Sequence, residues 1–293
     1  MTILFYIELF VFGLVIGSFL NVVALRYKDG GGLFANIYGR SHCMSCGKTL
    51  HWYELLPVIS FIVLRGQCSK CKEKISFQYP IVELLSGLIF VLVPYKIISI
   101  YQSLYSPYLF IFIWILAFTT LLLISVIDLR LQIIPDSLNI FLVLLGIAMI
   151  FIHSSMGDFG LLKNGMVGGS FFGNYALMFF IGNSPIINAL LGLAFGGLFL
   201  GLIYVLTRGN GIGFGDVKLA IAMGLLLGWP DIFLSLVIAF IVGAIFGVGL
   251  MLTKRKTMRD AVPFGPFIAL GITIVFFLGY DILNVYFRIF QII

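Results

Sequence analysis

Residues 107–128 read PYLFIFIWILAFTTLLLISVID, a run of apolar and aromatic side chains interrupted only by Thr119, Thr120 and Ser125 before it ends on a carboxylic acid, Asp128. At about 1.5 Å per residue, a run of this length reaches across the roughly 30 Å hydrocarbon core of a bilayer as an α-helix. Without water at that depth only a helix or a closed barrel satisfies the backbone, and an unbroken apolar run selects the helix over the alternating pattern of a barrel strand. Comparable runs stand at 4–26, 80–98, 136–153, 186–207, 216–230, 232–253 and 262–280. The chain has 293 residues, 61% of them hydrophobic and 10% charged, and a mean hydropathy of +1.14. The expected fold is therefore an all-α polytopic membrane protein with about eight transmembrane helices. The run at 216–230 is short for a span, and Asp281–Ile293 is expected to lie at the membrane interface. The first run has no basic residues ahead of it and carries Glu8, so it reads as a retained span rather than a signal peptide.

Charge sets the expected orientation. Eight of the 18 basic residues fall in and beside the loop 27–79: Arg26, Lys28, Arg40, Lys48, Arg65, Lys70, Lys72 and Lys74. Lys254, Arg255, Lys256 and Arg259 form a second cluster, and Arg130, Arg208 and Lys218 lie between. With eight spans all of these share one face, which the positive-inside rule makes cytoplasmic. The net charge of +6 then reflects topology and attraction to anionic lipid. No nucleic-acid-binding module is recognisable, and none is expected as a partner.

Ionisable groups at the ends of apolar runs are expensive and so mark function. Asp128 closes one run and Asp216 opens another, in Gly211-Ile212-Gly213-Phe214-Gly215-Asp216-Val217-Lys218. Two carboxyls on one side of the membrane suit a pair that shares a proton and activates water. Gly211, Gly213 and Gly215 permit torsions closed to other residues and close approach of another chain; they read as a site for an extended substrate strand or as a hinge. Lys218 lies two residues beyond Asp216, on a different helix face, so no ion pair between them is assumed. Asp136 follows Pro135 and reads as a helix-start residue, with Asp128 the stronger member of the pair. Glu83 either caps the second span or supports substrate. Pro263-Phe264-Gly265-Pro266-Phe267 either starts the last helix or forms a backbone wall beside the carboxyls. Asp231, after Trp229-Pro230, reads as a turn residue.

All four cysteines lie in the large loop, as Cys43-Met44-Ser45-Cys46 and Cys68-Ser69-Lys70-Cys71. Two C-x-x-C turns at this separation have the spacing of a zinc ribbon; four thiolates close a tetrahedral structural site, and such a metal folds a loop too small for its own core. Iron takes the same ligands. His42 and His51 are not needed as ligands. Between the pairs, Trp52 to Ser60 is apolar and aromatic. It reads as a segment that dips into the membrane interface or as a hairpin packed beside the metal.

Taken in order, several motifs resemble the type IV prepilin peptidase family (leader peptidase/N-methyltransferase). They are Gly17-Ser18-Phe19-Leu20-Asn21-Val22-Val23, the two C-x-x-C pairs with Trp52-Tyr53-Glu54 and Leu64-Arg65-Gly66 between them, Ile75-Ser76, and Tyr79-Pro80-Ile81-Val82-Glu83-Leu84. Asp128 through Ile134-Pro135-Asp136, Gly213 through Lys218, and Pro263-Phe264-Gly265-Pro266 complete the set. The resemblance implies an inner-membrane aspartic peptidase that cuts basic leaders from prepilins and pseudopilins of type IV pili and type II secretion. It also implies methylation of the new N-terminus with S-adenosylmethionine. It places the catalytic pair at Asp128 and Asp216. Residues 1–98 (first span, Cys₄ loop and second span) become the methyltransferase region and 99–293 the peptidase bundle. Glu54 and Glu83 are candidates for methyl transfer. The family often has Asp at Glu54, and commonly glycine at Lys72; residues 155–185 lie outside the pattern. Two other classes fit the same residues: a zinc-stabilised transporter, for which no inverted repeat is visible, and a non-catalytic assembly scaffold.

Overall fold

A computed structural model describes residues 3–28, 39–100, 107–155, 169–179, 184–253 and 262–290. Among these residues the chain is helical, with two isolated bridges, His42–Thr49 and Gln67–Lys74, and no strand. The helices are α1 (Ile3–Arg26), α2 (Ile59–Val63), α3 (Gln78–Ile100), α4 (Tyr108–Leu131), α5 (Asp136–Ser155), α6 (Pro185–Leu206), α7 (Phe214–Leu227), α8 (Asp231–Leu252) and α9 (Gly265–Ile289), with 3-10 turns at Trp52–Leu55 and Gly173–Phe179. Helices α1, α3, α4, α5, α6, α8 and α9 are long and apolar enough to cross a membrane, which makes this a multi-pass membrane protein. The eighth expected span, α7, has 14 residues, about 21 Å of helix, and does not reach across on its own.

The chain divides into two compact units, Met1–Tyr95 with Trp114–Ile127, and Lys96–Ile113 with Asp128–Ile293. In the first unit α1 and α3 touch backbone to backbone. A Cβ added at Gly17 would lie 2.7 Å from Glu83 Cα, and one at Gly13 2.8 Å from Gly87 Cα. The Gly13-x-x-x-Gly17 spacing puts both on one face, the usual device where lipid removes the hydrophobic drive between helices. Asn21 Nδ2 donates to Tyr79 O at 3.1 Å across the same contact.

In the second unit α7 is the centre. Val217, Leu219, Ala220, Ala222 and Met223 are buried, as is each residue from Gly224 to Leu227, the condition of a helix surrounded by others. Small residues let α6 close on it: a Cβ at Gly196 would lie 2.5 Å from Ala220 O, and one at Gly192 2.7 Å from Gly228 Cα. Gly224 faces Gly192 so closely that a side chain on either would run into the other's backbone.

Three places differ from the sequence reading. Asp231 is not a turn residue but is fully buried at the start of α8, where its Oδ1 accepts the Phe171 N–H at 2.8 Å. Asp281 does not end the last span, because α9 continues through it to Ile289, with the opposite charge of Lys96 close enough to act on it. Within 155–185, residues 169–179 fold against α9, Phe171 and Phe276 having ring centroids 4.6 Å apart and Tyr175 Oη donating to Asn284 Oδ1 at 3.0 Å. The rest of that stretch, apart from Ser155, Ser184 and Pro185, lies outside the described residues, as does the basic cluster Lys254, Arg255, Lys256 and Arg259.

The Gly192–Gly224 contact yields a prediction. Gly224→Ala is expected to destabilise the detergent-solubilised protein by about 1–3 kcal/mol through overpacking. Gly247→Ala, where nothing lies within 4 Å, is expected to be neutral or stabilising by up to about 1 kcal/mol. Thermal unfolding of the two variants beside wild type checks this, and equal shifts would contradict it.

Candidate active site and cysteine centre

Asp128 stands in the last turn of α4, which ends as Gln132 takes a left-handed backbone (φ 55°) and returns its N–H to Asp128 O at 2.8 Å. The Asp128 side chain is buried, and its Oδ2 accepts the N–H of Gly265, the first residue of α9, at 3.0 Å. Asp216 lies in the first turn of α7, and its Oδ2 accepts the Gly213 N–H at 3.1 Å. The two carboxyls are close enough for their charges to act on each other. Asp216 Oδ1 is buried and has no hydrogen-bond partner.

The glycines around the pair are held by space. A Cβ on Gly265 would lie 2.8 Å from Asp128 Oδ2, and one on Gly213 3.2 Å from Asp216 Oδ2. A Cβ on Gly215 would lie 3.1 Å from Ile134 Cβ, and Ile134 Cδ1 would be 3.4 Å from one on Gly265. Ile134 therefore touches both walls of the site. Its residue type carries no chemical signal, so the sequence reading did not single it out.

The remaining candidates lie elsewhere. Gly211 is exposed beside the Thr207 side chain, and Pro263 is partly buried two residues before Gly265. Asp136 opens α5, and its Oδ1 takes an ion pair from Lys218 Nζ at 2.7 Å, with both groups solvated. This pair joins α5 to α7 and leaves Asp136 occupied outside the buried pair. Glu83 belongs to the other unit. It sits five residues into α3, too deep to cap it, and its Oε2 accepts the Val58 N–H at 2.7 Å. Val58 has φ 60°, a strained backbone for a β-branched residue.

The four cysteine sulfurs all lie within 4.8 Å of one another, with Cys43–Cys71 at 3.8 Å and Cys46–Cys68 at 4.0 Å. A tetrahedron with metal–sulfur bonds of about 2.3 Å has sulfur–sulfur edges of about 3.8 Å, and a disulfide needs about 2.05 Å. The cluster has the dimensions of a metal site. Two matching turns build it. Cys43 N–H donates to Lys48 O and Gly47 N–H to Cys43 O; Cys68 N–H donates to Glu73 O and Lys72 N–H to Cys68 O. Gly47 (φ 66°) and Lys72 (φ 59°) hold the same left-handed position, which explains why glycine is favoured there.

Glu54 ties the two turns together. It is buried, accepts from His51 N–H at 2.9 Å, pairs with Lys48 Nζ at 2.7 Å, and accepts a short bond from Ser69 Oγ. The His51 N–H, then Lys48 and Ser69, hold its carboxyl down at about 2, so this tie persists as pH falls until it is lost near that value. Beside it, a cavity of about 410 Å³ in the first unit is lined by Ser18, Glu54, Ser69, Tyr79 and Glu83 among others.

Membrane-length helices, two buried carboxyls close enough to interact and a four-cysteine cluster together fit a membrane-embedded hydrolase. Comparisons agree. The Bacterial Peptidase A24 N-terminal domain matches residues 11–97 and the Type IV leader peptidase family matches residues 115–248. The prepilin leader peptidase/N-methyltransferase of Bacillus subtilis is 30% identical over 280 residues, covering 96% of this chain and 97% of that protein. The protein of the same name from Pseudomonas putida is 31% identical over 284 residues, covering 89% and 86%. That of Aeromonas hydrophila is 31% identical over 293 residues, covering 92% and 89%. No solved structure matches the chain. The chain belongs to the type IV leader peptidase family and is a membrane peptidase.

The cysteine geometry predicts one metal ion per chain, measured by elemental analysis of purified protein, and its loss in Cys68→Ser. Lys72→Gly is expected to retain the metal. Lys72→Val, which forces a β-branched residue into a left-handed backbone at a cost of about 1–3 kcal/mol, is expected to release it at lower chelator concentration. Equal chelator resistance in both variants would contradict the strain argument.

Proposed function

We propose that this peptidase removes the leader from type IV prepilins and pseudopilins, using Asp128 and Asp216 as its catalytic pair, and then methylates the N-terminus it exposes. The observation that carries the reading is the arrangement of the two buried carboxyls. Each has one oxygen held by a backbone N–H, from Gly265 and from Gly213, and Asp216 Oδ1 is left without a partner. Neighbouring carboxyls do not both ionise cheaply, so the pair holds one proton between them. The ionised member takes a proton from water, whose oxygen attacks the scissile carbonyl carbon. The protonated member donates to the developing oxyanion, and the leaving amine is then protonated as the C–N bond breaks. The backbone N–H groups fix which oxygen of each carboxyl faces the reaction.

The wider setting follows the same reading. The basic loop and the site lie on the cytoplasmic side of a bacterial inner membrane, with α7 counted as crossing within the bundle. A zinc ion held by Cys43, Cys46, Cys68 and Cys71 folds the loop and, with four thiolates, has no open position for chemistry. Residues 1–98 carry methyl transfer and 99–293 carry cleavage. S-adenosylmethionine supplies the methyl group. The cavity beside Glu54 and Glu83 has the volume of a small-molecule site, commonly about 300–1,000 Å³, and its buried carboxylates suit a cationic ligand. Glu83 is the group placed to hold it, since Glu54 is consumed by Lys48, Ser69 and His51.

Cleavage of a cognate prepilin by the purified protein in lipid tests the pair. Asp128→Asn and Asp216→Asn are each expected to lower the rate by about 10²–10⁴-fold or more. Asp136→Asn removes only a solvated pair worth about 0–1 kcal/mol and is expected to change it by no more than about fivefold. Loss in Asp136→Asn with activity retained in Asp128→Asn would move the pair to Asp136 and Asp216.

A further inference from the structure

The loop of the first unit exposes apolar groups that no cytosolic surface explains. Trp52, Tyr53, Ile59, Ile62, Val63 and Phe77 are each between 53% and 76% exposed. Helix α2 is two-sided. Ile59, Ile62 and Val63 follow the i, i+3, i+4 spacing of one helix face, while Ser60, Phe61 and Leu64 line the cavity. Its position relative to α3 is set by two contacts, one with the helix itself and one with Phe77 just before it. The Val58 N–H, at the start of α2, donates to Glu83 Oε2 at 2.7 Å, and Phe61 lies against Phe77 with ring centroids 5.3 Å apart. Glu83 is five residues into α3, about 7–8 Å beyond its first residue. Ile81, between them, is itself exposed and apolar, so α3 meets lipid at this level.

We infer that α2 lies flat in the membrane interface, its Ile59–Ile62–Val63 face embedded in lipid and its other face roofing the cavity. A monotopic helix sits about 5–10 Å into the headgroup and acyl boundary, and the Val58–Glu83 bond holds the start of α2 at a comparable distance along α3 from its first residue. Trp and Tyr gather at that boundary, and Trp52 and Tyr53 stand exposed in the 3-10 turn that precedes α2. The occupant is a bilayer with anionic headgroups, because Arg65, Lys70, Lys72 and Lys74, all exposed, follow the apolar face in the same loop and attract such headgroups. The strained backbone at Val58 turns the chain so that its N–H reaches the Glu83 carboxyl.

The test uses the full chain in vesicles of phosphatidylcholine and phosphatidylglycerol, with Ile62→Trp as a reporter and wild-type emission subtracted. Ile62 is 68% exposed, so the larger ring has room, and Val63→Trp provides a second reporter on the same face. The added emission is expected to fall by about half or more with lipid brominated near the headgroup end of the chains and less with lipid brominated near the bilayer centre. Aqueous iodide is expected to leave it nearly unchanged. Quenching by iodide with no effect of brominated lipid would put the face in water and overturn the inference. Protection from both quenchers would mean that protein covers the face, a second copy or another chain, and would overturn it equally.

Discussion

The close approach of α6 to α7 is the constraint on which the second unit depends. Between helices in lipid there is no hydrophobic drive, and what remains is packing and hydrogen bonding at short range. Gly192, Gly196, Gly224 and Ala220 supply that range by leaving the two backbones nothing to separate them. Helix α7 can then be buried almost entirely, although it is short, and its first turn holds Asp216 at a defined height. Larger residues in the seam would move the carboxyl with the helix.

Burial alone does not make a carboxyl reactive. Asp231 is more completely buried than Asp128 or Asp216, yet it sits at the head of α8 and accepts the Phe171 N–H, fixing the segment that packs on α9. Asp128 and Asp216 differ in having each other. Around them the walls are glycine backbone and Ile134, with Gly265 and Gly213 supplying donors and no side chain of their own. Glu54 shows a third use of a sheltered carboxyl: both oxygens accept, from Lys48 and Ser69 on one and from the His51 N–H on the other, and the group works as a tie.

Seven of the spans and the cysteine cluster were legible in the chain because each rests on a local pattern, an apolar run of fixed length or a repeated C-x-x-C; Asp128 and Asp216 stood out as ionisable residues ending such runs, and the structure adds that their side chains are near each other. What escaped reading depends on which helices become neighbours. Lys218 pairs with Asp136, 82 residues away, and Val58 with Glu83 across 25 residues; nothing at either end announces the other. Asp281 looked like the end of a span because the opposite charge near it, Lys96, belongs to a different helix. Ile134 stood inside a recognised motif but with no role of its own, for another reason: it acts by shape, and an isoleucine in a membrane protein shows no role until its surroundings are known. Lys72 was visible as a departure, but its cost became readable only from φ 59°.

The length of α7 has a consequence for how the chain enters the membrane. Insertion machinery sorts segments by their partition into lipid, and about 20 apolar residues make a segment that partitions by itself. Fourteen residues, opened by an acid and a lysine, do not. Helix α7 must therefore go in with a companion, and α6, which precedes it and whose glycines fit it, is already in place to serve. Insertion and packing then place the same demand on one seam: the glycine contacts that hold α7 against α6 in the folded chain are those a short helix needs to leave water.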